Sequence, residues 1–338
     1  MSASATNEIV SVIVPCYNEE RYIVKALEQL ADQYDKDHYE IVVVDGRSDD
    51  ETRTLVEKFK RDRSDVAVVQ VDNPARNIPT ALNLGIAAAR GGIIARMDAH
   101  ATPSEGYIRR CVEVLRQNGV GIVGMPCRVQ PGSATLMAQA IANGVSHPFG
   151  IGDATYRLAQ GAAPQEAVDT VAFACFKRSL WQQLGGYNET LLTNEDYDFN
   201  YRARMSGQQV ILDRSGHCDY FARTTLGDLA RQYIRYGGWK ARMVRLHPRS
   251  LKLRHLVAPL FVVSIVLLAL LGIVWLPFWA LLGLEIVSYS LCALFFSLRV
   301  ATKTGGGIGL FLLMPLVFAT IHLTWGSSFL LGLIRKPR

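Results

Sequence analysis

Three stretches of this chain place reactive side chains at spacings that would let them work together. Asp98-Ala99-His100 follows the apolar run Ile93–Met97. A carboxylate and an imidazole at i and i+2 beyond a strand project to the same side. Such a pair could hold a divalent cation that neutralises a diphosphate leaving group, and an imidazole donor shifts the preference from Mg²⁺ towards Mn²⁺. Asn194-Glu195-Asp196-Tyr197-Asp198 supplies carboxylates able to take a proton from an attacking hydroxyl. The same acids equally suit the start of a helix, where its dipole favours negative charge. Gln232 and Arg235, in Gln232-Tyr233-Ile234-Arg235-Tyr236, lie three apart and so share a helix face. Asp45, closing the run Ile41–Val44, reads on its own as a helix N-cap.

The elements that must position these residues alternate. Ile9–Pro15 is a β-branched run, Arg21–Gln33 has apolar residues at helical spacing, and Ile41–Val44 is a second buried strand. Asp49, Asp50 and Glu51 precede a helix over Thr52–Lys60; a strand follows at Val66–Val71, a helix at Ile78–Ala89 and a strand at Ile93–Met97. Alternation of this kind predicts a mostly parallel α/β sheet covered by helices. Ligands bind beyond the carboxyl ends of such strands, where both Asp45 and Asp98 fall. Past residue 105 the pattern loosens. Strands are expected at Gly119–Val129, Val171–Phe176 and Val210–Asp213, with a polar loop over Gly150–Ala167.

Charge is distributed unevenly. Residues 223–338 hold 14 Lys/Arg against Asp228 and Glu285, a net +12 in a chain of net +6, which leaves the remainder at −6. An acidic globular part and a basic stretch preceding apolar runs exclude nucleic acid as partner and suit an anionic membrane surface. From Leu226 to His255 the chain reads as a pair of amphipathic interfacial helices. Val257–Leu276, Pro277–Leu298 and Ile308–Ile334 are each long and apolar enough to cross a bilayer. The distribution of cations sets residues 255 and 299–303 on the cytosolic side, so the first two segments form a hairpin. The third either exits, leaving Arg335, Lys336 and Arg338 on the far side, or re-enters. Six scattered cysteines without a CxxC pair predict reduced thiols. The N-terminus shows no signal-peptide pattern.

Ser11-Val12-Ile13-Val14-Pro15-Cys16-Tyr17-Asn18-Glu19, followed by Ile41-Val42-Val43-Val44-Asp45-Gly46-Arg47-Ser48-Asp49-Asp50-Glu51, resembles the opening of the family 2 inverting glycosyltransferases. The likeness runs over residues 10–240 and is greatest to membrane-anchored bacterial exopolysaccharide glucosyltransferases of the succinoglycan type. It implies a GT-A fold at residues 8–222, interfacial helices at 223–255 and a transmembrane anchor at 256–335. It also implies donor-nucleotide contacts from Pro15, Tyr17, Glu19, Asp45 (to the uracil N–H), Arg76 and Asp98. Arg76 alone reads as a solvated surface residue.

Most relatives carry Asp-x-Asp where this chain has Asp98-Ala99-His100. Asp-x-His occurs in glycosyltransferases of the mucin-initiating type, where a later histidine completes the metal site. His217 would fill that place, although a structural histidine is the plainer reading. The family's catalytic base maps onto Asp196, with Glu195 in support and Asp198 a weaker candidate. Gln232, Arg235 and Tyr236 resemble the family's Gln-x-x-Arg-Trp segment, which contacts acceptor sugar and diphosphate; Tyr stands here for Trp.

The expected activity is transfer of a sugar, glucose by resemblance, from a UDP-sugar to a polyprenyl-diphosphate-linked saccharide at the inner membrane face. A β-linkage and a divalent cation, Mn²⁺ before Mg²⁺, go with it. The rivals are a polyprenyl-phosphate sugar synthase, a processive synthase that would have to form a homo-oligomer to line a channel, and a non-catalytic membrane scaffold.

Overall fold

Val10, Val12, Ile13 and Val14 are fully buried, as are Ile41 to Val44. Near-continuous β-branched runs of this kind belong to central strands covered on both faces. In the computed structural model, which describes residues 8–158 and 163–335, they form β1 (Val10–Cys16) and β2 (Tyr39–Asp45). Between and after them come α1 (Ile23–Ala31), α2 (Thr52–Asp62), β3 (Ala67–Asp72), α3 (Ile78–Ala88) and β4 (Ile93–Arg96). The chain continues through β5 (Thr102–Pro103), α4 (Tyr107–Leu115), β6 (Val120–Gly124), β7 (Cys127–Gln130), α5 (Leu136–Gly144) and α6 (Pro148–Ile151). Next are β8 (Gln165–Ala167), β9 (Cys175–Lys177), α7 (Arg178–Gln183), α8 (Glu195–Met205), β10 (Gln209–Asp213) and β11 (Cys218–Phe221). Four long helices follow, α9 (Leu226–Leu246), α10 (Arg254–Val274), α11 (Pro277–Thr304) and α12 (Gly307–Ile334).

The chain forms two bodies, one of Met1–Arg128 with Ala159–Tyr220, the other of Val129–Leu158 with Phe221–Arg338. The first contains an eight-stranded sheet in the order β3-β2-β1-β4-β9-β6-β10-β8. β3, β2, β1 and β4 run parallel, β9 is antiparallel to both β4 and β6, and β10 is parallel to β6. A smaller sheet has the order β5-β11-β7. Register pairs Cys16 with Asp45 and Asp45 with Asp72, so three strands end level and deliver their following loops to one edge. Helix α3 lies close on this sheet. A Cβ at Gly85 would sit 2.5 Å from Ile13 Cγ2 and 2.7 Å from Val44 Cγ2, so only glycine permits the approach.

The second body is organised around α12. Its Leu310, Met314, Val317, Phe318 and Ile321 pack with Ala140 and Ile141 of α5 and with Leu229 and Tyr233 of α9. The described residues include three helices, α10 to α12, that are long and apolar enough to cross a membrane. Many apolar side chains of α10 and α11 are exposed, among them Leu260, Leu267, Leu270, Leu284 and Leu291. All six cysteines are free, five of them buried.

The structure departs from the sequence reading in several places. Residues 129–158, expected within the catalytic domain, belong to the C-terminal body because α5 seats against α12, with Gly144 against Val317. The expected helix pair over 226–255 is one helix, α9, closed by a 3-10 turn at Pro248–Ser250. The strand expected at Val171–Phe176 is only Cys175–Lys177, since Phe173 takes a left-handed φ of 43°. The Gly119–Val129 strand breaks at Met125-Pro126 and its halves enter different sheets. Proline there has no N–H for a ladder. The expected loop Gly150–Ala167 carries the end of α6, a 3-10 turn at Thr155–Arg157 and β8. Residues 159–162 of that loop, and Lys336 and Arg338, lie outside the described residues.

Candidate active site

The loops after β1 and β2 are clipped together at the carboxyl edge of the sheet. Asn18 and Asp49 exchange two hydrogen bonds, Asn18 Nδ2 donating to Asp49 Oδ1 at 2.7 Å and Asp49 N to Asn18 Oδ1 at 3.0 Å. The Glu19 amide donates to Thr52 Oγ1 at 2.8 Å. The Arg76 guanidinium, on the loop after β3, lies 5.2 Å from the Tyr17 ring centroid and donates to the Arg47 carbonyl at 3.3 Å. Asn18, Arg47 and Arg76 all hold left-handed φ, at 55°, 58° and 53°. Non-glycine residues pay for that conformation, and such outliers gather at ligand sites. Thus Pro15, Tyr17, Glu19, Asp45 and Arg76 end on, or just past, one strand edge, with the half-exposed Tyr17 ring free to stack on a planar group.

Asp45 is buried and already engaged. It accepts from the Ser48 amide at 3.1 Å and from Ser48 Oγ at 2.5 Å, with Arg53 Nε at 3.5 Å. It therefore organises the turn after β2. Burial, followed by the charge of Asp45, pushes the Cys16 thiol well up, which keeps it protonated. Asn83, near Arg76 in sequence, ties α3 to the 181–189 segment through Trp181, Tyr187 and Glu189.

The second group surrounds Arg96, a residue the sequence reading passed over. Its side chain is nearly buried at the end of β4. Nε donates to Asp98 Oδ1 at 3.1 Å and Nη1 to Glu195 Oε1 at 2.9 Å. Burial would lower the guanidinium pKa; Asp98 and Glu195 outweigh it and hold it well above its ordinary value. Burial pushes Glu195 up to about 7, with Arg96 pulling it down and Asp196 adding to the rise. The sequence signal was available, since an arginine inside an apolar run needs a counter-charge.

Asn194, at φ 67°, starts α8 and sets Glu195 and Asp196 in its first turn. Glu195 faces inward to Arg96, whereas Asp196 is partly exposed and accepts from the Tyr197 amide at 2.7 Å. Asp198 is fully buried and paired with Arg202 at 2.8 Å. Arg202 in turn donates to the Leu184 and Gly186 carbonyls. Asp198 therefore anchors the helix, and of the three acids Asp196 is the one solvent reaches most.

The expected metal ligands are not assembled. Asp98 turns to Arg96, and His100 Nδ1 meets Glu19 Oε1 at 2.9 Å. His217 is fastened through its backbone, its amide to Ser104 Oγ at 3.1 Å and its carbonyl from the Ser104 amide at 2.9 Å. Among the described residues no three His, Cys, Asp or Glu side chains gather as a cation site. In the C-terminal body, Gln232 Nε2 donates to Tyr236 Oη at 2.9 Å, and Arg235 lies 5.7 Å from the Tyr236 ring. The structure brings those three together.

Residues 11–185 match the family described as Glycosyl transferase family 2. The chain belongs to that family, and it is a glycosyltransferase. It is 24% identical over 334 residues to the Methanococcus voltae dolichyl N-acetyl-alpha-D-glucosaminyl phosphate 3-beta-D-2,3-diacetamido-2,3-dideoxy-beta-D-glucuronosyltransferase, covering 96% of this chain and 97% of that protein. It is 29% identical over 265 residues to the succinoglycan biosynthesis protein ExoA of Rhizobium meliloti (strain 1021), 78% of each chain. The mannosyltransferase PcManGT from Pyrobaculum calidifontis, solved in complex with GDP-Man and Mn²⁺, superposes with a TM-score of 0.62. That match is 23% identical and spans 98% of this chain and 87% of that one; it shows the GT-A fold. The relatives thus include a protein with a lipid-linked acceptor and an exopolysaccharide protein, and the apolar C-terminal helices fit membrane association.

Proposed function

We propose that this glycosyltransferase transfers a sugar, glucose by resemblance, from a UDP-sugar to a polyprenyl-diphosphate-linked saccharide, with inversion to a β-linkage. The Asp98–Arg96–Glu195 bridge beside the accessible Asp196 carries this reading. It fixes one carboxylate inward and leaves the next free to act. Asp196 takes the proton of the acceptor hydroxyl as that oxygen attacks the anomeric carbon, while the bond from that carbon to the β-phosphate oxygen breaks on the opposite face and UDP leaves. Glu195 positions Asp196 through its hold on Arg96. Tyr17 stacks on the base, Pro15, Glu19 and Arg76 line the nucleotide with Asp45 holding its loop, and Gln232, Arg235 and Tyr236 receive the acceptor.

A divalent cation, Mn²⁺ in preference to Mg²⁺, would draw on Asp98, His100 and His217 and would neutralise the leaving diphosphate. Those side chains do not fit it as they stand, and no step here runs through it. The proposed organisation is a GT-A domain within 8–222, less the 129–158 segment that packs with the C-terminal body, then an interfacial region at 223–255 and an anchor at 256–335, with the catalytic domain on the cytosolic face of the inner membrane. The acidic catalytic part and the basic segment before α10 support that placement.

The test is UDP release by purified, detergent-solubilised chain with a panel of UDP-sugars and Mn²⁺, with and without a polyprenyl-diphosphate saccharide. Acceptor-stimulated turnover with one donor, lost in Asp196→Asn, is the expected result. Turnover on plain polyprenyl phosphate alone would replace this reading with a polyprenyl-phosphate sugar synthase.

A further inference from the structure

We propose that an arginine-lined pocket between α9 and the C-terminal end of α12 binds the phosphate headgroup of a membrane lipid. The cavity, of about 280 Å³, is lined by Arg235, Gly238, Trp239, Arg242, Arg245 and Arg335, among others. Arg235, Arg242 and Arg245 follow one another at i, i+7 and i+10 and so form a stripe along α9. Arg245 donates to the Arg335 carbonyl at 2.6 Å and to the Gly332 carbonyl, closing the carbonyl end of α12. Arg242 stacks over Trp239 at 5.2 Å. Guanidinium groups in such a fork suit phosphate oxygens.

Among the described residues, no Asp or Glu lines this pocket. The described acids of the body that holds it are three. Asp153 pairs with Arg254, Asp228 with Arg231, and Glu285 accepts from Ser264. Arg235 and Arg242 lie over the Tyr236 and Trp239 rings, not against these acids, which leaves their charge open to an anionic ligand.

Depth selects a lipid as the source. Helix α9 carries Arg231, Arg235, Lys240, Arg242 and Arg245, charges that hydrocarbon does not accept cheaply. It packs directly on α12. A Cβ at Gly237 would meet the Trp325 carbonyl oxygen at 2.5 Å, and one at Gly332 would meet the Ala241 Cβ at 2.7 Å. Two helices in such contact share a depth, so the Trp325–Ile334 part of α12 lies at the water–lipid boundary with α9. Arg335 then stays on the face that α9 occupies. Exposed Ile234, Leu331, Leu333 and Ile334 give the neighbourhood an apolar surface for a hydrocarbon tail, which a free phosphate would leave unused. Apart from Arg235, no residue of the proposed donor, base or acceptor set belongs to this pocket.

The test is native mass spectrometry of the full chain in detergent, offered dioctanoyl-phosphatidic acid, dioctanoyl-phosphatidylcholine, farnesyl diphosphate and free pyrophosphate in turn. The wild type should retain phosphatidic acid or farnesyl diphosphate at least about tenfold better than phosphatidylcholine. That preference should fall about tenfold in Arg242→Gln/Arg335→Gln and survive in Arg223→Gln/Arg249→Gln, which removes the same charge elsewhere. Preference for phosphatidic acid assigns the pocket to bulk anionic lipid, and preference for the prenyl diphosphate assigns it to the acceptor's own carrier. Equal losses in both double variants, no loss in the first, or pyrophosphate held as well as the lipids would each overturn the proposal. If the first double variant loses its thermal transition, Arg242→Gln alone carries the comparison.

Discussion

The arginines around α8 and those along α9 are used differently. In the catalytic body several are answered by carboxylates from within: Arg96 by Asp98 and Glu195, Arg110 by Asp213, Arg202 by Asp198, Arg53 by Asp72. In the C-terminal body the cations of α9 outnumber every acid available to them, and Arg235 and Arg242 rest on aromatic faces. Internal pairing fixes geometry, which a transfer reaction needs. Charge that rests on an aromatic face and not on a carboxylate is open to a surface or a ligand, which an anchor needs.

The largest effect that would break this contrast is at Asp196, the acid left out of the pairing. Asp196→Asn should lower kcat by about 10²–10⁴-fold, read as UDP release at saturating donor, with nucleotide affinity unchanged. A loss of only a few-fold would return Asp196 to the role of a helix-terminal acid. Next comes Arg96→Met, which strands two carboxylates at the end of β4. It should cost about 3–5 kcal/mol, measured by denaturant unfolding of the catalytic transition, and Arg96→Lys should cost less.

Glu40 sharpens the comparison through pH. It is buried and accepts from Ser11 Oγ at 2.6 Å and from the Arg90 amide and side chain. Burial alone would raise its pKa; the hydrogen bonds from Ser11 and Arg90 outweigh it and lower it. A depressed carboxyl stabilises the fold fully above its unfolded pKa and loses that contribution as pH falls through its folded one. Glu40→Gln should therefore cost about 1.5–3 kcal/mol near neutrality, and its gap from wild type should close below the ordinary glutamate range. A gap constant with pH would mean the hydrogen bonds do not favour the charged form. The smallest effect lies in the C-terminal body. Gly237→Ala must push α9 from α12 and should cost about 1–3 kcal/mol, seen as a lower melting temperature in detergent.

The strands that end the site's loops were readable because Val and Ile runs stop abruptly at Pro15, Asp45 and Asp98. The membrane helices were readable from length and composition. What could not be read depends on distant partners or on backbone geometry. Nothing local to Leu136–Gly144 says that it packs on Val317, and nothing in Val171–Phe176 announces the left-handed Phe173. At the site, the carboxylates of α8 were legible as a group. Their division of labour was not, because it depends on Arg96 and Arg202 reaching Glu195 and Asp198 and leaving Asp196 alone. The metal set shows the same limit: spacing made Asp98 and His100 look like joint ligands, whereas each has a separate partner.

The close seating of α9 against α12 also has a consequence for how the chain is made. The residues that cover Gly237 and Ala241 lie at Trp325 to Gly332, 79 to 86 residues beyond the end of α9 at Leu246. At about 5–20 residues per second of synthesis, α9 waits roughly 4–17 s for its partner. The catalytic body has all its strands by Phe221 and can close while α9 is still uncovered. During that interval α9 has α5 but not α12 to pack on, so the face that α12 will cover stays open until the last helix is made.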